Sequence, residues 1–242
     1  LCHALMSEGH DVQILLRDPS QFSQVPLGLG AGYIIGSLED ERSLDEACSG
    51  RELVIHLAGL ANVGKGLERQ AMESNFVGAS NLLIAATNAR VRRFLYLSST
   101  LAEAAATGEG DVTAYGESKF QAEKLIEAAS KQGKISSVIL RSVNVYGAGM
   151  KGNISRMISM IEKGRLPPLP EVNNQISLIS VDDLAAALLL AMETDESGQK
   201  SYTVTDGESY SVAAMERAIY AALGKSFPRW RTPHMVLYGA SQ

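Results

Sequence analysis

Cysteine is scarce in this chain, and long hydrophobic runs are absent. Cys2 and Cys48 are the only cysteines among 242 residues, which excludes a disulfide scaffold and favours a reducing compartment, so we expect a cytoplasmic protein. The longest apolar run, Leu184–Met192, has nine residues, whereas a membrane-spanning helix needs about 20. The sequence therefore predicts no membrane segment.

Positive charge does not accumulate in any part of the chain. The 22 lysines and arginines are outnumbered by 27 aspartates and glutamates, and the net charge is −5. The densest basic cluster, Arg90, Arg92 and Arg93, flanks a predicted strand and forms no stripe. Nucleic acid is therefore not an expected partner. The histidines and cysteines show no metal-ligand spacing, so no metal is expected.

The chain does contain enough apolar sequence for a sizeable core. Hydrophobic residues make up 45% and charged residues 20% of its length, which excludes disorder as the main state. A length of 242 residues allows one large domain, or one domain and a smaller lobe.

Predicted strands and helices alternate along the chain up to Arg141. The predicted strands are Asp11–Leu16, Gly32–Ile35, Leu53–Leu57, Phe94–Leu97 and Ser137–Leu140, and the helices between them are Glu39–Cys48, Glu68–Asn88 and Tyr115–Ser130. The central strands are apolar throughout, as expected when helices cover both faces of a sheet. The fold class is therefore expected to be α/β, with a doubly wound parallel sheet.

The composition changes after Arg141, where a glycine-rich stretch and a proline-rich loop follow. A further strand and helix, Ser177–Val181 and Asp182–Met192, are predicted to rejoin the sheet. We therefore predict a main domain of residues 1–141 and 176–195, and a smaller lobe of residues 142–175 and 196–242.

Tyr115 and Lys119 carry the strongest chemical signal, a YxxxK sequence at the start of a predicted helix. Positions i and i+4 share a helical face, so the ammonium is expected to lie near the phenol and to lower its pKa. Upstream, Ser98-Ser99-Thr100 ends a predicted strand, and such strand ends point into the ligand crevice of a parallel sheet. Together these residues indicate proton transfer with a substrate oxygen.

Further motifs, in the same order, make the chain resemble the extended short-chain dehydrogenase/reductases of the NAD-dependent epimerase/dehydratase family. They are Gly9-His10-Asp11-Val12, Gly36-Ser37-Leu38, His56-Leu57-Ala58-Gly59, Asn75-Phe76-Val77-Gly78, Ser98-Ser99, Tyr115…Lys119, Arg141…Asn144-Val145-Tyr146-Gly147 and Val181-Asp182-Asp183-Leu184. The resemblance implies a Rossmann-like sheet that binds a dinucleotide and a small C-terminal lobe that binds substrate. No glycine-rich turn is present, and Leu1–Gly9 has the character of the end of a first helix. We therefore expect the chain to lack the first strand and turn of the family.

The resemblance also implies roles for the catalytic candidates. Tyr115 would be the acid/base, and Lys119 would be its partner and a ribose ligand. Ser99 would orient the substrate oxygen, with Thr100 as the alternative for that role.

Cofactor contacts follow from the same resemblance. Leu57, Ala58 and Gly59 would line the cofactor, and Asn75 would lie behind the nicotinamide side. Ser37 and Leu38 stand where the family holds adenine, although Ser37 replaces the usual acidic residue. Arg17 follows the second strand of the fold, where an arginine accommodates a 2′-phosphate. We therefore favour NADP slightly over NAD.

The small lobe resembles that of nucleotide-sugar enzymes. Asn144 would face a diphosphate, Asn153 and Ile154 stand at the uracil-side segment, and the surrounding sequence resembles enzymes of surface-polysaccharide assembly. These enzymes usually carry an arginine near Ile176, but the chain has none in the run Asn173–Ile176. The other motifs of the lobe still imply a nucleotide-sugar enzyme, so a UDP-sugar is the expected substrate.

The function expected from the resemblance is that of an NAD(P)-dependent nucleotide-sugar epimerase or 4-keto reductase. Two alternatives stay open: an NADPH-dependent reductase of a non-sugar carbonyl compound, such as a flavonoid or steroid, and a non-catalytic dinucleotide-binding regulator. A homodimer would form through the helices Glu68–Asn88 and Tyr115–Ser130.

Overall fold

A computed structural model of the protein describes residues 1–18, 20, 31–61, 66–170, 174–194 and 198–233. The chain forms two compact units, each built from two stretches of sequence. The first unit contains Leu1–Val143 and Asp182–Val204, and the second contains Asn144–Val181 and Thr205–Gln242.

The first unit is built on parallel strands. Its strands are β1 (Gln13–Leu16), β2 (Gly32–Ile35), β3 (Leu53–His56), β4 (Arg93–Ser99), β5 (Ser136–Ser142) and β8 (Gln199–Val204). The order β3-β4-β5-β8 forms a four-stranded sheet, and β1 pairs with β2 in a separate two-stranded sheet. All of these pairs are parallel, which requires crossover connections such as helices. The predicted α/β class with a parallel sheet is confirmed.

The connection from β1 to β2 lies mostly outside the described residues, while helices supply the crossovers of the four-stranded sheet, precede β1 and follow β2. They are α1 (Cys2–Ser7), α2 (Glu41–Cys48), α3 (Glu68–Ala71), a π-helical segment (Met72–Val77), α4 (Gly78–Asn88), α5 (Thr100–Thr107), α6 (Ala114–Lys131) and α8 (Val181–Glu193). The predicted helix Glu68–Asn88 thus contains a π-helical segment between α3 and α4. The core of the unit joins α2, α4 and α6 to the central strands through buried residues that include Leu44, Leu83, Phe94, Ile126 and Ile139.

The second unit is smaller. Its strands β6 (Asn144–Tyr146) and β7 (Leu178–Ser180) pair in parallel, and its helices are α7 (Asn153–Glu162) and α9 (Val212–Ala222). Glu216 of α9 is fully buried, accepts the Leu169 N–H at 3.1 Å and pairs with Arg231. This buried ion pair ties the segment after α9 to the loop around Leu169.

The two units differ from the predicted division at two strands. Leu178–Ser180 was expected in the main domain, but it belongs to the second unit because it pairs with β6. Residues 199–204 were expected in the lobe, but they form β8 and extend the main sheet beside β5. The predicted lobe also includes residues 171–173, 196–197 and 234–242, which lie outside the described residues, as does residue 195 of the predicted main domain.

A search for membrane-spanning helices is negative over the residues that the structure describes. None of their helices combines the length and apolar character needed to cross a bilayer.

Candidate active site

The carboxyl end of β4 leads directly into α5. Ser99 is the N-cap of that helix, and its hydroxyl oxygen accepts the Leu101 N–H at 3.2 Å. Such a cap satisfies a backbone donor that the helix leaves free. The cap uses an acceptor position of Ser99, while its O–H can still donate to a substrate oxygen. Thr100, the alternative, is the first residue of α5 and is partly exposed.

Helix α6 begins next to this strand end. Its N-cap, Thr113, accepts the Gly116 N–H at 3.0 Å, and Tyr115 lies in the first turn. A Cβ added at Gly116 would overlap the Leu101 carbonyl oxygen, so the close packing of α5 on α6 requires glycine there. This packing brings the helix that begins at Thr100 alongside the turn that carries Tyr115.

Lys119 is buried on α6, with a 3% exposed fraction. Its Nζ donates to the Leu97 carbonyl oxygen of β4 at 2.9 Å and lies 4.7 Å from the centroid of the Tyr96 ring. Burial lowers the pKa of Lys119 to about 8, although the nearby Glu123 carboxylate acts in the opposite direction.

The expected lowering of the Tyr115 pKa is wrong for this structure. Burial raises the pKa of the Tyr115 phenol, because desolvation disfavours the phenolate. The i, i+4 spacing does place Lys119 one turn after Tyr115, but its ammonium is directed to the Leu97 carbonyl oxygen of the strand. The two residues therefore share a helix turn without the charge contact that the sequence suggested.

A buried ion pair lies one further turn along α6. Glu123 has a 1% exposed fraction, and its carboxylate accepts both the Nε and the Nη2 of Arg141 on β5, at 3.1 and 2.7 Å. Bidentate pairs of this kind fix both partners in orientation. The pair therefore anchors α6 to β5 directly behind Lys119.

Asn75 connects α6 to the loop after β3. It is fully buried in the π-helical segment. Its Oδ1 accepts the Leu60 N–H at 2.7 Å, and its Nδ2 donates to the Leu60 carbonyl oxygen and to Ser118 Oγ. Ser118 in turn donates to the Tyr115 carbonyl oxygen at 2.7 Å. Asn75 therefore fixes the backbone of Leu60 in the loop after β3 and, through Ser118, the backbone of Tyr115 in α6. The cofactor role predicted for Asn75 would act through that loop.

We expect Asn75→Ala to lower the free energy of unfolding by about 2 kcal/mol, because it removes the partner of the half-buried Leu60 N–H and carbonyl groups and of the buried Ser118 hydroxyl oxygen. Urea denaturation measures this change. Asn88→Ala, at the exposed end of α4, is the matched control and should change stability little. Equal losses in the two variants would contradict the role assigned to Asn75.

A groove of about 1030 Å³ runs along the first unit between β1 and β3. Six of the residues predicted to contact the cofactor line this groove: Arg17, Ser37, Leu38, Leu57, Ala58 and Gly59. The other three, Asn75, Tyr115 and Lys119, are not among its lining residues. A Cβ placed on Gly59 would lie 3.3 Å from Lys119 Nζ and 2.8 Å from Asn75 Oδ1. The loop after β3 therefore brings the groove and helix α6 into contact.

The far wall of the groove is formed at the ends of β1 and β2. Arg17 is exposed directly after β1, and the neighbouring Asp18 accepts the Ser20 N–H at 2.8 Å, a contact that lowers the pKa of Asp18. Leu38 follows β2, and its carbonyl oxygen accepts Asn81 Nδ2 at 2.8 Å. Arg17 is thus an exposed cation at the groove, and the turn at Leu38 is fixed by α4.

The predicted substrate residues of the small lobe belong to the second unit, which is described by itself. Asn144 is exposed at the start of β6, Asn153 is exposed at the start of α7, and Ile154 follows it half-buried. In the run without arginine, Asn173 lies outside the described residues, and Asn174 Oδ1 accepts the Val212 N–H at 3.4 Å. Across the described parts of the chain, no group of three or more His, Cys, Asp or Glu residues could hold a metal.

A model of the NAD dependent epimerase/dehydratase family matches residues 1–213. The chain belongs to this family. Among its relatives, the UDP-glucose 4-epimerase of Vibrio cholerae is 27% identical over 223 residues, which cover 84% of this chain and 66% of that protein. The 4-hydroxy-2-methyl-3-oxo-4-farnesyl-3,4-dihydroquinoline-1-oxide ketoreductase of Stigmatella aurantiaca is 27% identical over 218 residues, covering 86% of this chain and 64% of that protein.

A solved structure has a similar fold. MoeE5 in complex with UDP-glucose and NAD is 25% identical and superimposes with a TM-score of 0.78, covering 92% of this chain and 77% of that one. The Rossmann-like fold predicted from the motifs is thereby confirmed. The chain spans 64% to 66% of the length of the first curated relatives that it matches.

Sequence reasoning missed several residues around the family's YxxxK helix. Glu123 follows Lys119 by one turn, so helical spacing could have indicated its electrostatic effect. Ser118 stands inside the YxxxK sequence, but no pattern shows that it links Asn75 to Tyr115. Tyr96 lies in an apolar strand and could be interpreted only as a core residue.

Proposed function

We propose that the protein is an NAD(P)-dependent nucleotide-sugar epimerase or 4-keto reductase. The observation that carries this proposal is the meeting of the YxxxK helix with the groove-lining loop, where Lys119 Nζ lies within 3.3 Å of the Cβ position of Gly59. Family membership and the UDP-glucose and NAD bound by MoeE5 support the same chemistry. Because the chain spans part of its relatives' length, the activity of the whole protein is proposed on these grounds.

The groove residues fit a dinucleotide. Leu38, Leu57 and Ala58 offer an apolar wall, Arg17 offers an exposed cation for phosphate, and Gly59 brings backbone close to Lys119. Lys119 would bind the ribose next to the nicotinamide. When bound, the nicotinamide ring would supply hydride acceptance and donation.

The protein's own residues would move the proton and orient the sugar. In the epimerase reaction, Tyr115 would take the proton of a sugar hydroxyl and later return it. In the reductase reaction, it would donate a proton to the new hydroxyl once. Ser99, or alternatively Thr100, would donate a hydrogen bond to the same oxygen. A burial-raised phenol pKa favours the proton-donating form of Tyr115.

The second unit would bind the nucleotide part of the substrate. Asn144 would contact the diphosphate, and Asn153 with Ile154 would contact the uracil side; their positions at the starts of β6 and α7 support contact with a ligand. We place the reaction in surface-polysaccharide precursor synthesis, on the resemblance of the sequence around α7.

The protein would act as a homodimer in the cytoplasm. Val77 and Ile84 are apolar residues with exposed fractions of 43% and 55% on the helix Glu68–Asn88, which supports a homodimer formed through that helix and Tyr115–Ser130. Cys2 and Cys48 are both free, which supports a reducing, cytoplasmic location.

Identification of the dinucleotide tests the proposal directly. The protein isolated from its native cells is denatured, and any released dinucleotide is identified by mass spectrometry. We expect stoichiometric NAD from an epimerase that regenerates its cofactor, or consumption of added NADPH by a reductase whose Arg17 contacts the 2′-phosphate. Arg17→Ser should then weaken NADPH binding and leave NADH binding unchanged. Failure to bind either dinucleotide would contradict the proposal.

A reductase of a non-sugar carbonyl compound is the second candidate. It is favoured by the Stigmatella aurantiaca relative, whose name gives a farnesylated quinoline oxide as its substrate. Asn174 is bound to the Val212 backbone in the segment where sugar-nucleotide enzymes usually carry a cation. NADPH oxidation with apolar ketones, in the absence of any response to UDP-sugars, would select this candidate.

A further inference from the structure

The ammonium of Lys119 lies over the face of an aromatic ring that no role has yet been given. Tyr96 is fully buried on β4, and its ring centroid lies 4.7 Å from Lys119 Nζ. The next residue, Leu97, supplies the carbonyl oxygen that accepts the same Nζ at 2.9 Å. Two consecutive residues of one strand thus contact the ammonium, one through its ring and one through its backbone.

A second ring supports the first. His56 of β3 is paired with Tyr96 in the register of the sheet, and the two rings are stacked at a centroid distance of 5.5 Å and an angle of 29°. Within the described part of the chain, Tyr96 Oη and His56 Nε2 are buried and have no hydrogen-bond partner. Buried polar atoms without partners are unusual and call for an explanation.

We propose that Tyr96 is a positioning residue that holds the Lys119 ammonium against the Leu97 carbonyl and the Gly59 loop. A cation over an aromatic face is attracted by the ring quadrupole, and the attraction grows when both are removed from water. Only the face of the Tyr96 ring is needed to hold the Lys119 ammonium. The Tyr96 hydroxyl has no part in this contact and can remain without a hydrogen-bond partner. The importance of this placement for catalysis rests on the function proposed above for Lys119.

Other titratable groups also lie around Lys119, and the Glu123 carboxylate raises its pKa. The titratable groups that interact with its ammonium are Glu123 of α6, His56 of β3 and Tyr96 of β4, with Arg141 of β5 bound to Glu123 and Tyr115 acting on Tyr96. Burial, and secondarily the charge of Lys119, lowers the pKa of His56 to about 3. His56 is therefore neutral at working pH and adds no positive charge beneath the ammonium.

The test changes the electron density on the face of the ring at position 96 and keeps the shape of that ring. Tyr96→Phe is followed by mono-, di- and trifluorophenylalanine at position 96, since fluorine withdraws charge from the ring face that attracts the cation. The pKa of Lys119 is read from the protein labelled with ¹³Cε-lysine by NMR titration, with its signal assigned by Lys119→Arg.

We expect Tyr96→Phe to leave the Lys119 pKa near its starting value of about 8. The fluorinated series should then lower it stepwise, by a total on the order of one unit, because a weaker ring face stabilises the ammonium less. The same fluorinated residues at Phe94, equally buried on β4, are the matched control and should leave Lys119 unchanged.

A Lys119 pKa that does not follow the degree of fluorination at position 96, or follows it equally at position 94, would overturn the proposal. The titration needs neither turnover nor bound dinucleotide, so it stands even if the proposed reaction is wrong. In the dinucleotide-loaded protein, the same series should move the pH profile of kcat in step with the Lys119 pKa, which a purely structural ring would not do.

Discussion

Tyr115→Phe should lower kcat by roughly 10²- to 10⁴-fold, the range that a positioned proton donor contributes. The substitution removes only the phenolic O–H and keeps the ring in the first turn of α6. Dinucleotide affinity and the free energy of unfolding should therefore stay close to those of the parent protein. Initial rates of UDP-sugar interconversion or NADPH oxidation, with dinucleotide titration alongside, measure the three quantities.

Tyr202→Phe provides the matched control for this experiment. Tyr202 lies on β8 and is exposed, so loss of its hydroxyl should leave the rate unchanged. Unchanged turnover in Tyr115→Phe would contradict its role as the proton donor. A biological activity that stays intact in Tyr115→Phe, without turnover in either protein, would instead favour a non-catalytic dinucleotide-binding regulator.

Acid should destabilise the protein through His56 more than through an ordinary histidine. Its pKa falls from 6.5 to about 3 in the folded protein, mainly through burial. Below pH 6.5 the unfolded chain therefore binds a proton that the folded chain does not, and the free energy of unfolding falls as the pH falls towards 3. Between pH 7.5 and 4.5 this one group should remove about 2.5 kcal/mol.

His56→Leu isolates that contribution, because leucine has a similar volume and takes up no proton. Urea denaturation at the two pH values gives a loss for each protein, and the parent should lose about 2.5 kcal/mol more than the variant. Equal losses would mean that His56 is protonated in the folded state or is hydrated. His10, which is exposed, provides the control in His10→Leu, where the loss should match that of the parent.

The main sheet could be predicted because its strands are short apolar runs between helical patterns. Gly32–Ile35 was predicted with the observed bounds, and Phe94–Leu97 lies inside the longer β4. Helix α5 was not predicted, because Ser98-Ser99-Thr100 was interpreted only as the end of a strand, although an alanine-rich run follows it. β6 was missed because three residues pair with β7, more than thirty positions later, and no local pattern indicates such a partner.

The candidate site could be predicted as a set of residues but not as a set of contacts. Tyr115 and Lys119 stand on one helix as their spacing indicates, but spacing does not determine where a long lysine side chain ends. Its Nζ reaches the Leu97 carbonyl oxygen of a neighbouring strand, and this tertiary contact decides its environment. The Asn75 bonds to Leu60 likewise depend on the packing of two distant segments.

Lys119 determines the net formal charge of the site, because the buried ion pair of Glu123 and Arg141 behind it carries none. Lys119 and Arg141 contribute two cations and Glu123 one anion, so together they carry one net positive charge. That charge is lost as Lys119 deprotonates near pH 8. An anionic ligand would therefore meet a positive site at neutral pH and a neutral one in alkali. Neutralising Glu123 would leave the charge of Arg141 uncompensated, and it would also remove the carboxylate that raises the pKa of Lys119.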